Sequence, residues 1–506
     1  HSLQLNPMKH YFKAILLLFF VTSMNGQSLQ DILRYSTSDL NGTARYTAMG
    51  GAFGALGGDF GALNNNPAAG SVFEHTQFSI TTSSIRNQTN ATYFESSYES
   101  KNRDSEFDQV GFALVLKNTI ESPWSKISFA FNYQKTANFN DAFEADGYNS
   151  TGVDQYFLNN AQGFELSNFQ IRSDENESDL YLYLGENVGF DAQQGFLGYQ
   201  SFIIDAVVDE STNRAYISNV SSGSEGYLHE YVTQRSGGIK KYTFNFSGEY
   251  LNKYNVGINI NSHKLEYREV NDFYEGNYAD SSTLNAFRFN NELLSFGEGV
   301  SFQVGAIAKL NKQIRFGLSY ESPTWFSITE ETTEFVASND GSNITIEPDV
   351  INIYPEYRFK TPSKYSGSFA YIFGQKGLIS VDYTQVNYDK AQFNEPNDGS
   401  LNNQNDAIKN NVNAAGILRV GGEYRFGNYS IRAGYIKQGA SLKNFDNSSS
   451  SKSIGGGINF GGSSLDLSII NSEFNGQKQL FATGLTDNID LKKDRFTVGL
   501  TYTLKL

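Results

Sequence analysis

Covalent catalysis needs a nucleophile, or a water, served by a base that is usually histidine. Five histidines occur in the chain. Of these, His75, His229 and His263 lie beyond the N-terminal leader, and no serine or carboxylate constellation accompanies them. The absence of cysteine excludes disulfide scaffolds, Cys-ligated zinc, thiol chemistry and a lipidated N-terminal cysteine. A glycine-dense run from Thr47 to Leu63 invites a phosphate-loop reading. It lacks the Lys-Ser/Thr ending and the strand-turn-helix setting such a loop requires. The expectation is no enzyme, no cofactor and no metal.

Binding chemistry is better represented. The run Thr47 to Ala69 sets Phe53, Leu56, Phe60 and Leu63 among Gly50, Gly51 and other small residues, with Asp59 between them and Asn66-Pro67 at its end. Glycine permits tight turns and close backbone approach, and the apolar residues call for burial in a confined space. Proline fixes φ and removes a donor, so Pro67 suits a fixed turn. Gly50, Gly51, Phe53, Asp59, Phe60, Leu63, Asn66 and Pro67 are therefore the first candidate site. A second is apolar and lies in a long polar stretch: Tyr156-Phe157-Leu158, then Phe196, Leu197, Tyr199, Phe202 and Ile203. Apolar patches in a solvent-facing loop often mark capture sites, and they also pack long loops against themselves. Third come Arg315, Arg419, Arg425 and Arg432, which fall in alternating runs in the register opposite to the apolar residues. They can meet a ligand's acid group or pair with Glu321, Asp382 and Glu423, and pairing is the preferred reading for most.

The elements that must position these residues are strands. Phe496, Val498, Leu500, Tyr502, Leu504 and Leu506 alternate with Thr497, Gly499, Thr501, Thr503 and Lys505, a period of two. The same alternation returns at Ile127 to Tyr133, Tyr242 to Phe246, Tyr254 to Ile260, Phe302 to Leu310, Ile314 to Tyr320 and Leu418 to Phe426. Aromatic residues make up 14% of the 506 residues while charged ones reach only 18%, too aromatic for a soluble acidic chain. The net charge of −15 and the lack of any basic block argue against nucleic acid. Short turns near residues 118–125, 252–253, 311–313, 374–376, 427–428 and 461–463 alternate with long polar connections, the longest at about 141–237. One end of tight turns and one of long loops is the layout of an outer-membrane barrel, with apolar residues facing lipid and polar ones facing the lumen. The expectation is an all-β, antiparallel, transmembrane β-barrel of about 14 strands with both termini on the tight-turn side. Aromatic strand ends such as Trp124 would supply its interfacial girdles.

The N-terminus supplies the compartment. Residues 1–7 precede Met8 and read as an upstream extension. Residues 8–26 combine basic Lys9, His10 and Lys13, an apolar core from Ala14 to Val21, and a small polar stretch before Gln27. That is a signal peptide, too short for a spanning helix of roughly 20 apolar residues. Residues 27–73 form the N-terminal hatch, a plug within the lumen, and 74–506 the barrel.

Here the chain resembles a known family. Ala48-Met49-Gly50-Gly51-Ala52-Phe53, Asp59, Ala62-Leu63 and Asn66-Pro67-Ala68 look like the N-terminal signature of the FadL/TodX outer-membrane transport family. Gly305 to Tyr320, Thr361-Pro362 with Gly367 and Ala370-Tyr371, and Val420 to Tyr435 resemble its later hairpins. The resemblance implies passive, porin-like transport of hydrophobic molecules such as long-chain fatty acids. Outer loops capture the ligand, a hatch-gated pocket holds it, and it leaves sideways through the wall into the lipid of the bacterial outer membrane. Some relatives instead serve protein secretion systems as barrel scaffolds or shuttles, with a secretion partner in place of a lipid ligand.

Overall fold

The computed structural model describes residues 29–119, 122–394 and 401–506. The upstream extension and the signal peptide lie outside these residues. Fourteen antiparallel strands form a closed barrel. In order they are Gln77–Tyr93; Ser96–Lys117; Trp124–Asn138 continued by Asp141–Asn149; Tyr227–Tyr250; Tyr254–Gly276; Ala286–Lys309; and Ile314–Glu321 continued by Trp325–Asn339. Then follow Tyr357–Lys360 with Lys364–Phe373; Gly377–Val386 with Gln392–Asn394; Ala415–Phe426; Tyr429–Gln438; Ser449–Asn459; Ser463–Gln479; and Asn488–Lys505. The first strand pairs with the last from Gln77↔Lys505 to Thr92↔Asp490, which closes the wall.

Burial along the strands is inverted relative to a soluble protein. On the fifth strand Asn255 and Asn259 are 0% exposed, whereas Ile260 is 55% exposed. The same outward row carries Val256 and Ile258, and neighbouring strands add Phe244, Phe246, Phe302 and Val304. A two-sheet sandwich would bury these apolar rows in a shared core, so the outward apolar face belongs to lipid. Among the described residues no helix is long and apolar enough to cross a membrane. Strands of up to 24 residues exceed the 9–11 that a crossing needs. Their upper halves rise beyond the apolar band and carry the long loops as a crown.

The connections differ in part from the sequence expectation. The tight turns at 252–253, 311–313, 374–376, 427–428 and 461–463 stand where they were read. Residues 141–149 and 227–237, assigned to the longest loop, are strand instead, and the hairpin between the first two strands turns at Phe94 and Glu95. The rest of that loop holds three helices, α3 (Asp154–Ala161), α4 (Glu177–Asn187) and α5 (Phe190–Gln200), and a small hairpin pairing Ile204–Ala206 with Tyr216–Ser218. Ahead of the barrel come α1 (Leu29–Ser36), α2 (Ala44–Ala48) and two 3-10 turns, Gly61–Asn64 and Pro67–Val72. A sixth helix, α6 (Asn402–Asn411), lies in the connection before the tenth strand.

Candidate functional site

The N-terminal segment lies against the inner wall of the barrel. Its residues have little secondary structure to satisfy their backbone, and buried backbone polar groups must be paired. The wall supplies the partners. Asn259 Nδ2 donates to Leu63 O at 2.8 Å, Asn245 Nδ2 to Pro67 O at 2.8 Å, Gln303 Nε2 to Asn64 O at 2.9 Å and Ser319 Oγ to Asn65 O at 2.6 Å. On the opposite wall Ser453 Oγ donates to Ala48 O at 3.0 Å, and Gly54 N donates to Asp382 Oδ2 at 2.8 Å. Contact is so close that wall glycines are obligatory. A Cβ on Gly305, Gly317, Gly421 or Gly434 would overlap Asn66, Gly54, Met49 or Gly50 respectively.

The hatch residues singled out from sequence divide by task. Gly50 and Gly51 take φ of +61° and +70°, which glycine adopts without strain. Asn66 caps the second 3-10 turn through Ala68 N at 3.1 Å, with Pro67 at its first position, and Asn66 Nδ2 donates to Gly54 O at 2.8 Å and to Ala306 O at 3.1 Å. Asp59 accepts from Thr43 Oγ1 at 2.6 Å and from Gly61 N at 2.8 Å. Phe53, Phe60 and Leu63 are buried in the hatch's own apolar cluster with Tyr46, Leu56 and Phe73.

Above the hatch is a chamber of about 170 Å³. Tyr46, Asn64 and Asn65 form its floor, the segment from Tyr35 to Asn41 covers it, and the walls are mostly hydroxyls and amides. Its charged lining is Lys241, Lys364, Arg419 and Arg495 against Asp39 and Glu321, an excess of two positive charges in a chain whose net charge is −15. Arg495 pairs with Asp39 at 2.9 Å, and Glu321 lies 3.9 Å from Lys241 and 3.5 Å from Lys364. Arg419 donates to Thr384 Oγ1 at 3.0 Å. It has no ion pair among the described residues.

The four arginines read from register are thus not equivalent. Arg432 is paired with Glu423 at 2.6 Å and Asp466 at 2.7 Å, and Arg425 with Glu423 at 2.5 Å. Arg315 donates to Leu56 O of the hatch at 3.1 Å. Only Arg419 of the four lines the chamber.

One seam of the wall is incomplete. Pairing between the second and third strands ends at Gln109↔Gln134. Above it, Ser96–Glu106 is laddered to the first strand and Asp141–Asn149 to the fourth. The third strand's register shifts between Lys135 and Ala137 at this height, and a bulge bends its strand and interrupts pairing. Side chains bridge the seam: Lys135 pairs with Glu106 at 2.5 Å, and Asn138 Nδ2 and Asn140 Nδ2 each donate to Glu106 Oε1 at 3.1 Å. Gln134, Thr136 and Asn138 also line the chamber, so the seam borders it.

The candidate capture cluster sits in the crown. Tyr156, Phe157, Phe196, Leu197 and Ile203 are buried in one apolar core, with Leu158 and Tyr199 half-buried against it. Tyr156 packs on Phe481 with ring centroids 4.8 Å apart, and Phe157 on Phe287 at 5.3 Å. Phe202 is 50% exposed. The sequence alone marks no serine or carboxylate constellation around the histidines, but the fold brings Glu275 to His229 and Ser301 to His263. His75 is exposed, His229 lies 2.8 Å from both Tyr93 Oη and Glu275 Oε2, and His263 Nε2 is 2.9 Å from Ser301 Oγ. No group of three potential metal ligands occurs among the described residues.

Several residues at the chamber escaped the sequence reading: Tyr46, Asn64, Asn65, Lys241, Lys364 and Arg495. The lysines and Arg495 occupy the polar register of their strands, a signal that was available. The hatch residues gave none, because periodicity is silent in an irregular segment.

No family model matches the chain, and no curated protein matches it. Solved structures do match. The crystal structure of a Pseudomonas aeruginosa FadL homologue aligns with a TM-score of 0.54 at 10% identity, covering 93% of this chain and 99% of that one. The P. putida toluene transporter TodX aligns at 0.52 with 12% identity, covering 92% and 99%. This chain therefore has the FadL/TodX-type barrel fold.

Proposed function

We propose that this chain is a passive outer-membrane channel for hydrophobic small molecules, with long-chain carboxylic acids as the class that fits its interior. One observation carries the reading: the lumen is filled at the tight-turn end by a hatch seated on wall glycines, while the chamber above it borders the incomplete seam. A ligand in the chamber meets a closed floor and a weakened side wall. Sideways exit keeps apolar surface out of water, whereas a water-filled pore exposes it. Similarity to structures described as a FadL homologue and a toluene transporter supports the same reading.

The acid class follows from charge. The chamber's positive excess attracts an anion, and Arg419 offers a guanidinium fork that has no ion pair among the described residues. Capture belongs to the crown, where Phe202 is the exposed member of the apolar cluster. The test is mass spectrometry of small molecules extracted after purification in a detergent unlike natural lipid, comparing the unaltered chain with Arg419→Gln. Long-chain acids enriched in the former, with at least tenfold loss in the variant, are expected. A protein free of apolar ligands but holding a partner chain overturns the reading in favour of a secretion scaffold.

A further inference from the structure

A second cleft, of about 280 Å³, lies on the other side of the hatch. It is bounded by the tight-turn residues Gly427 and Asn428, by Asn459, and by Thr503 and Lys505 at the end of the last strand. It therefore faces the periplasm when the chain sits in an outer membrane. Its inner wall is a charge cluster that neither the chamber nor the seam uses.

The cluster is short of negative charge. Three guanidiniums converge on the fully buried carboxylate of Glu423: Arg45 from the hatch at 2.9 Å, Arg432 at 2.6 Å and Arg425 at 2.5 Å. Asp466 neutralises Arg432 alone. Counting Lys505 and Asp59, both of which line the cleft, four cations face three anions. Arg45 and Arg425 each bind Glu423 through Nε and Nη2, and their Nη1 groups carry no hydrogen bond among the described residues. Among the described residues, Lys505 Nζ has only neutral oxygens as partners, Asn459 Oδ1 at 3.4 Å and Gly461 O at 3.3 Å. Like charges this close repel unless a counter-charge joins them.

We propose that this cleft binds a small monocarboxylate from the periplasmic side, held by Arg425 and Lys505 at its mouth and Arg45 at its base. The excess is one positive charge, which one carboxylate neutralises and inorganic phosphate, with more than one charge at neutral pH, overshoots. The open Nη1 donors are planar guanidinium groups, whose geometry matches a carboxylate. The bound anion takes the place beside Glu423 that a second acidic side chain would otherwise fill, and it ties the edge of the hatch to the tenth strand. This inference is independent of the chamber's cargo.

The probe is [1-13C]acetate, titrated against the full chain in detergent and followed by broadening of its resonance. Saturable broadening is expected. In the double variant Arg425→Gln with Lys505→Gln, at an exposed and a half-buried position of the rim, affinity falls at least tenfold. Broadening that does not saturate, that survives the double variant, or that inorganic phosphate abolishes at lower concentration than unlabelled acetate overturns the assignment. A melting temperature of the double variant equal to that of the unaltered chain, measured without acetate, establishes that lost binding is not lost folding.

Discussion

A single methyl group decides whether the hatch can sit where it does. Gly434 of the eleventh strand faces the lumen with its α-carbon against the Gly50 amide, and any Cβ there overlaps the hatch. Overpacking a fitted contact costs about 1–3 kcal/mol, enough to shift the segment. Gly434→Val is expected to loosen residues 48–52 and open the floor, read as faster protease cleavage in the hatch and a rise in ionic conductance across a planar bilayer. Gly422, where an added Cβ meets only Leu378 O at 3.6 Å and no hatch atom within 4 Å, is the control, and Gly422→Ala leaves both readouts unchanged. Equal conductance in the two variants would show that the hatch does not seal the lumen. At this scale the sequence was legible where residue type carries the reason: Gly50, Gly51, Asn66 and Pro67 hold turns, as their chemistry requires. It was opaque for Arg419, since register places four arginines in the lumen and only folded neighbours distinguish the three that are already occupied.

Elements repeat the contrast. Period-two alternation marks strands wherever one face meets lipid, so the lower halves of the wall were readable residue by residue. In the upper halves both faces are polar or crown-packed, alternation fades, and strands such as Asp141–Asn149 merge with loop composition. The helices had a usable signal: Asn176 and Asp179 form a reciprocal capping box at the start of α4, a spacing that announces a helix. Burial within this crown also creates a pH dependence. Glu334 accepts hydrogen bonds from Tyr181 Oη at 3.0 Å and Gln194 Nε2 at 2.5 Å, and has no cation among the described residues. Burial lifts its carboxyl above the ordinary range, an effect those two bonds only partly offset. In the unfolded chain the same group ionises at its ordinary value, so the folded crown holds a proton that the unfolded one has released. Stability is therefore lost as pH rises from the ordinary carboxylate value through the folded one, by about tenfold in the opening equilibrium per unit of lift. Amide exchange of α4 and α5, compared between the unaltered chain and Glu334→Gln at each pH, is expected to show the variant better protected at pH 8 and equal at low pH. A constant ratio across that range would mean the carboxyl is ionised throughout.

For the whole molecule, the proposed transport turns on which boundary of the chamber yields. The floor is held by glycine contacts and by many hydrogen bonds between wall amides or hydroxyls and hatch carbonyls. The seam between the second and third strands has no backbone ladder above Gln109 and is bridged through side chains: Lys135, Asn138 and Asn140 meet Glu106, Asn140 also meets Asp104, Ser96 donates to Asp146, and Ser100 Oγ accepts from Glu144 N. Breaking the floor exposes buried backbone groups, each costing a full desolvation penalty if left unpaired, whereas parting the seam releases polar side chains that solvent can satisfy. On the proposed function, the side wall is therefore the expected exit. The chain contains no cysteine, so Glu106→Cys with Asn138→Cys gives a unique pair across the seam, joined in the native chain at 3.1 Å. Bridging that pair with a short bifunctional thiol reagent is expected to stop delivery of a fatty-acid probe to the surrounding bilayer, while a monofunctional reagent on the same variant leaves delivery within about twofold of the untreated protein. The bridge leaves the floor untouched, so ionic conductance stays low in every state. Continued delivery through a bridged seam would move the exit elsewhere in the wall, and conductance that rises with delivery would move it to the floor.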